Sequence, residues 1–373
     1  MRTGPAVRPA IPRVLLLFLA LSPALCRSAE IGPTAEQVGG AYALARQFEL
    51  KPLSARPAWA DSEQPPLLVL AWMSDFHLDG GERTAVIRAA CRAVRDTIKP
   101  HFVILGGDNS AYDPPVQGAR SALPKNHRRH LAFRDFLEAE LSLPAAVLPG
   151  DNWPWDSEKV FGPSRFSCDT AGLHWVFLSP DRKASGVEGC AVFADATWEW
   201  LRRDLQDNRG KPTLLVLHEN VVPPTFLDAP RLEQLLLTQP QVLGTLSGHL
   251  HLDLDFRRKG LAHLVCPSMA AGARAGFKVV TLYRDRLVFN TWELAPGSTR
   301  FEPTLKWQRL DLPEGPLRQG LRPVDTRQIL RENRNEMPAV PLVEDQTLLQ
   351  RQGELVLPML QFVMEYGRQT LAP

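Results

Sequence analysis

Gly248-His249-Leu250-His251 sets two imidazoles at alternating positions behind a glycine, and upstream clusters carry matching side chains. These are Asp75-Phe76-His77, Gly107-Asp108-Asn109, Gly150-Asp151-Asn152 and Leu217-His218-Glu219. Imidazole nitrogens and carboxylate oxygens are the donors that hold divalent transition metals. Alternate residues of a strand point to opposite faces, so two histidines at this spacing meet at one site only where the strand ends and the backbone turns. The pattern therefore points to metal ligation at strand-to-loop junctions.

Each cluster ends an apolar run. LLVLAWMSD leads to Asp75, HFVILGGD to Asp108 and AAVLPGD to Asp151, and TLLVLHE surrounds His218. Near-continuous Val, Leu and Ile is how a strand buried on both faces reads. Helix-like segments over 82–98 and 128–141 separate the runs, so strand and helix alternate as in an α/β domain with a largely parallel sheet. Ligands of such sheets gather at the carboxyl ends of the strands, where every cluster falls.

The chain has 373 residues, 44% hydrophobic and 23% charged, enough for one large core or two modest ones. A net charge of +2 gives no electrostatic argument for nucleic acid, and there is no nucleic-acid signature. Arg2, Arg8 and Arg13, the apolar stretch from Val14 and the small residues behind it read as a secretory signal peptide over 1–29. The apolar stretch is shorter than the ~20 residues a membrane span needs, so no stable transmembrane segment is expected after leader cleavage. The expected location is secreted or periplasmic. Export leaves Cys91, Cys168, Cys190 and Cys266, either as disulfides, with Cys168–Cys190 the first pair to test, or as buried free thiols.

Residues 30–66 read as an N-terminal segment and linker, with a helix expected over 35–50. The α/β domain is expected over 67–294 and closes in a hairpin turning at Arg284-Asp285-Arg286. Residues 295–373, broken by Pro303, Pro313, Pro316, Pro323, Pro338 and Pro341, read as an appended segment that wraps the core. Its final helix-like stretch, 344–366, is interrupted by Gly353 and Pro358.

Asp-x-His, Gly-Asp, a Gly-Asn-His-Asp-like turn, a lone His and Gly-His-x-His, in that order along the domain, resemble the calcineurin-like metallophosphoesterase superfamily. The ordered set is far more specific than any single piece. The resemblance implies two facing mixed β-sheets flanked by helices, a four-layer sandwich, and two metal ions (Mn, Fe or Zn) held side by side. It assigns Asp75, His77 and His251 to the first ion, His218 and His249 to the second, and Asp108 to both, with Asp151 where the superfamily has an asparagine ligand. A bridging carboxylate suits ions about 3.5–4 Å apart, because its two oxygens serve one each. The implied reaction is hydrolysis of a phosphomonoester or phosphodiester by a metal-bridged water, on a phosphorylated small-molecule, nucleotide or lipid substrate.

Asn152 stands where the superfamily has a histidine implicated in stabilising or protonating the leaving group. An amide donates no proton at neutral pH, and general acid catalysis is worth about 10²–10⁴-fold. Two function classes therefore stay open: a phosphoesterase, and a binding or scaffold protein that keeps the metals without efficient turnover. Three carboxylates also leave less residual positive charge on two divalent ions, which one trivalent iron would restore.

Asn109, Glu219 and Asn220 are each read either as a substrate contact or as a turn cap, with Asn109 the best candidate for the phosphate. Trp153 and Trp155 are candidates for the pocket rim, whereas 126–130 reads as a solvated helix start and His101, His174 and His263 as structural.

Overall fold

The apolar runs before Asp75 and Asp108 and around His218 form interior strands of two β-sheets with one core between them, and the run before Asp151 forms an edge strand. The computed structural model describes residues 46–115, 118–270, 274–338, 340–355, 357–359 and 361–362. The leader at 1–29, most of the helix expected over 35–50 and the end of the stretch expected over 344–366 lie outside the described residues; Arg46–Phe48 forms a single tight turn.

The first sheet runs in the order β14 (Phe301–Asp311), β13 (Arg286–Leu294), β12 (Gly276–Leu282), β1 (Leu68–Met73), β2 (Phe102–Leu105), β3 (Ala145–Val147). Its β1, β2 and β3 pair in parallel, and β12, β13 and β14 are antiparallel additions. The second runs β10 (Leu254–Arg258), β11 (Leu261–Val265), β9 (Val242–Ser247), β8 (Thr213–Val216), β5 (Leu173–Phe177), β4 (Phe166–Thr170), β15 (Asn335–Glu336). Here β11, β9, β8 and β5 are parallel neighbours. Both sheets are mixed, as expected. A small third sheet joins β6 (Arg182–Lys183) to β7 (Ala191–Val192) and β16 (Val343–Glu344).

Trp72, Phe102 and Ile104 of the first sheet meet Trp175, Phe177 and Val216 of the second in the central core. Full burial of a side chain such as Phe102 contributes about 1.5–3 kcal/mol. The outer face of the first sheet packs on α1 (Glu82–Arg92) and α2 (Lys125–Glu140), through Ile87, Phe133 and Leu137. That of the second packs on α3 (Asp195–Asp207) and α4 (Ala229–Leu236), through Trp198, Leu201 and Leu232. Helix, sheet, sheet, helix is the four-layer order. The helix expected over 82–98 is α1 continued by a wider turn, Ala93–Ile98. No helix among the described residues is long and apolar enough to cross a membrane.

The first sheet does not stop at residue 294. Its outer strand β14 comes from the segment read as an appendage, because that segment alternates apolar and polar residues through Asp311 and supplies the partner β13 needs. Farther on, β15 extends the second sheet, β16 pairs with β6, and Phe362 packs against Phe48 and Phe256. The Cys168–Cys190 pairing is corrected: all four described cysteines are free and buried. Cys168 faces the inter-sheet core from β4, whereas Cys190 sits in a separate cluster with Ala184, Val192 and Leu227, so the two thiols never meet.

Candidate metal centre

Strands β1, β2 and β3 of one sheet and β8 and β9 of the other each release a donor just past the last paired residue. Asp75 and His77 follow β1, Asp108 follows β2, Asp151 follows β3, His218 follows β8, and His249 and His251 follow β9. The backbone then turns into the left-handed region at Asp75 (φ 55°), His77 (41°), Asp108 (53°), His249 (68°) and His251 (55°). Such conformations cost a non-glycine residue ~1–3 kcal/mol and concentrate at functional sites. These turns bring alternate side chains to one side.

Glycine is required beside these donors. A Cβ on Gly248 would run into Ser74 Oγ and stand 2.6 Å from Asp75 Oδ2. One on Gly150 (φ +84°) would overlap Asp108 Oδ1.

Three donor groups result, each compact enough for one cation: Asp75, His77 and His251; Asp151, His218 and His249; Asp75, Asp108 and His218. In the first, His77 Nε2 and His251 Nε2 face each other at 3.3 Å, and His251 Nε2 is 3.2 Å from Asp75 Oδ1. In the second, Asp151 Oδ1 is 3.2 Å from His218 Nε2 and 3.5 Å from His249 Nδ1. Asp108 lies between, with Oδ2 3.5 Å from His77 Nε2 and Oδ1 3.4 Å from His218 Nε2. The donor set fits two cations sharing one carboxylate.

Backbone groups orient these donors. His218 Nδ1 donates to the Gly106 carbonyl at 2.9 Å, which holds the ring with Nε2 directed at the carboxylates. His249 N donates to both Asp75 oxygens at 3.0 and 3.1 Å. Asp151 N and Asn152 N donate to Asp108 Oδ1 at 3.1 and 2.9 Å.

The buried carboxylates and imidazoles shift one another's protonation. Burial alone would raise Asp75 and Asp151, but the neighbouring imidazoles outweigh it and hold both below the usual carboxylate range. Burial would lower His249, and the Asp151 charge overrides it and lifts the group to about 9. His218 is raised by Asp108 and Asp151 against the same burial. His77 moves the other way, because burial outweighs Asp108 and Asp75.

The sequence-derived ligands thus come together, and the remaining candidates divide. Asn152 is half-buried and lies on the central carboxylate, donating from Nδ2 to Asp108 Oδ2 at 2.6 Å. Asn109 is 1% exposed and its amide donates to the Leu148 carbonyl at 2.7 Å, so it ties two strand ends together. Asn220 is buried on Ser247 Oγ, and Glu219 pairs with Lys183. Trp153 stands edge-on to His77 with ring centroids 6.2 Å apart and carries Arg129 on its face.

Within 126–130, Arg128 pairs with Asp113, and His130 Nε2 lies 3.1 and 3.0 Å from the carbonyls of Trp153 and Trp155, holding that loop. His101, His174 and His263 make structural contacts. Sequence reasoning missed Lys183, whose short strand carries no periodic signal, and the Gly106 carbonyl, which no side-chain pattern reveals. A cavity of about 590 Å³ borders His251, lined by Arg46, Arg274 and Lys306 together with Glu49, Glu293 and Glu302.

Two mixed sheets between helix layers, with this donor cluster on one rim, define the metallophosphoesterase architecture. No family model matches the chain. The 3′,5′-cyclic adenosine monophosphate phosphodiesterase CpdA of Escherichia coli K12 is 27% identical over 273 residues, covering 62% of this chain and 90% of that protein. Its counterpart in Escherichia coli O157:H7 gives the same figures. A dimetal phosphatase from Danio rerio superposes with a TM-score of 0.52 at 12% identity, over 67% of this chain and 100% of that one, a likeness of fold. In sequence and in fold the chain is thus similar to calcineurin-like metallophosphoesterases.

Proposed function

We propose that this protein hydrolyses a phosphomonoester or phosphodiester of a small molecule with the help of two metal ions drawn from Mn, Fe and Zn. The observation that carries the reading is the placement of Asp108 between two three-residue donor groups. When bound, the ions would supply Lewis acidity and an activated water. The chain's own part is to fix the donors: Asp75, His77 and His251 on one side, Asp151, His218 and His249 on the other. The bacterial relatives are named for cyclic adenosine monophosphate, and the cavity beside His251 falls within the ~300–1,000 Å³ of small-molecule sites, so cyclic nucleotides head the substrates to try. We also propose export, from the Arg2 to Ala29 pattern; N-terminal sequencing of the mature protein tests it.

Asn152 favours a second reading, a metal-holding binding or scaffold protein, because its amide engages Asp108 and offers no proton to a leaving group. Turnover of an activated aryl phosphate or diester by manganese-loaded protein, compared with Asp108→Ala, separates the two. The hydrolase reading expects turnover that the variant loses. Equal inertness of both, with metal still bound by the wild type, establishes the scaffold.

A further inference from the structure

We propose that Lys183 is a positioning residue through which the C-terminal segment fixes the Asp151 and His218 half of the metal centre. The consequence for metal rests on the dimetal reading above; the positioning does not. Lys183 is 4% exposed, and its ammonium donates to the Gly150 carbonyl at 2.9 Å and to Glu219 Oε1 at 2.8 Å. Gly150 immediately precedes Asp151, and Glu219 immediately follows His218. One buried cation therefore ties the two loops that deliver these donors. A buried ammonium is tolerated only when it is paired and hydrogen-bonded, so the stem of Lys183 cannot swing away without stranding its charge.

The strand that holds Lys183 has only two residues, and it lies between β7 and a strand from far downstream. In β16, Val343 pairs with Arg182 and Glu344 with Lys183. Val343 N donates to the Asp181 carbonyl and Asp345 N to the Lys183 carbonyl, both at 2.8 Å. The Arg182 guanidinium closes the clamp on the Asp345 carboxylate at 2.5 Å. From β16 to Asp151 the path is thus continuous: strand pairing, the Lys183 stem, the Gly150 carbonyl, the loop. Neither the Lys183 ammonium nor the Gly150 carbonyl touches Asp75, His77 or His251, so the larger effect falls on the Asp151 and His218 half.

The test uses the full chain, stripped of metal and titrated calorimetrically with manganese(II), alongside amide hydrogen exchange of residues 150–153 in the metal-free state. Lys183→Met is expected to speed exchange at Asp151 and Asn152, to weaken one of two binding events by about 10–100-fold and to leave the other within about threefold. Val343→Pro, at the far end, should shift the same event in the same direction. Should Lys183→Met not fold, Lys183→Met with Glu219→Leu decides, since it removes the stranded carboxylate and still deprives Gly150 of its donor. Unchanged exchange, or equal weakening of both events, overturns the proposal. Wild type that takes up no manganese overturns the dimetal reading, and the exchange measurement still judges Lys183.

Discussion

Replacing Lys278 with methionine tests how the two sheets are pinned beside the metal centre. Lys278 on β12 is fully buried, and its ammonium is shared among Asp253 Oδ1 at 2.5 Å, Gln308 Oε1 at 2.7 Å and Thr291 Oγ1 at 3.0 Å. Asp253 stands two residues beyond His251 in the second sheet's territory, and accepts one further bond, from Thr291 Oγ1 at 2.8 Å. Methionine keeps the length of the stem but removes the charge, leaving the Asp253 carboxylate with the threonine alone.

Removing one partner of a buried ion pair costs about 3–5 kcal/mol, because the other charge is stranded. Gln308 loses a donor as well, which adds about 1 kcal/mol. The total should lie near ~4–6 kcal/mol. Lys278→Met with Asp253→Leu removes the stranded charge and should come back to within about 2 kcal/mol of wild type. Denaturant unfolding of metal-free protein measures all three proteins under one condition. A single variant that loses less than about 1 kcal/mol, or a double variant no more stable than the single, would refute the reasoning.

Asn152→His within the proposed phosphoesterase should raise kcat/KM for an alkyl phosphate ester by about 10–100-fold while leaving a 4-nitrophenyl ester within about threefold, since only the poor leaving group needs a proton. Equal gains on both esters, or none, would count against it. His174 lies between Asp169 and Asp204 at 2.8 Å each; burial lowers its pKa, but the two carboxylates outweigh that and raise it above 6.5. Its contribution to stability is therefore full below about pH 6.5 and lost as pH climbs through the raised value. Thermal melts from pH 5 to 9 should show that alkaline loss in wild type and not in His174→Asn, and parallel profiles would dismiss the assignment.

On the acid side, burial would raise Asp169, but His174, Lys211 and Asn333 bring it down to about 2, so its share persists above about 3.8 and disappears between there and about 2. Asp169→Asn should flatten the acid limb over that window in melts from pH 2 to 5; an unchanged limb argues otherwise. Manganese at 100 times its dissociation constant should stabilise the fold by about 2.7 kcal/mol, reversed by a chelator, and an unmoved melting temperature would contradict a resident metal.

The runs ending at Asp75, Asp108 and His218 were legible because strands buried on both faces must be apolar throughout, and a polar residue at their ends has few reasons to be there but chemistry. The two-residue spacing of His249 and His251 demanded a turn, and both residues have positive φ. Strand β14 was hidden by Pro303, which sits on the sheet edge beside the register shift near Asn290, a place where proline costs little. Strands β6, β15 and β16 are too short to carry a period. The free state of Cys168 and Cys190 followed from which packing cluster each side chain enters, a three-dimensional property that spacing along the chain does not encode.

The late arrival of β14 bears on how the polypeptide can be shortened. A version ended before residue 301 would bare the whole hydrogen-bonding flank of β13, whose Leu287, Val288 and Phe289 are otherwise covered. An open apolar edge of that length recruits a second molecule as its missing strand. Trimming there would yield self-associating material, whereas a cut beyond Asp311 leaves the flank sealed.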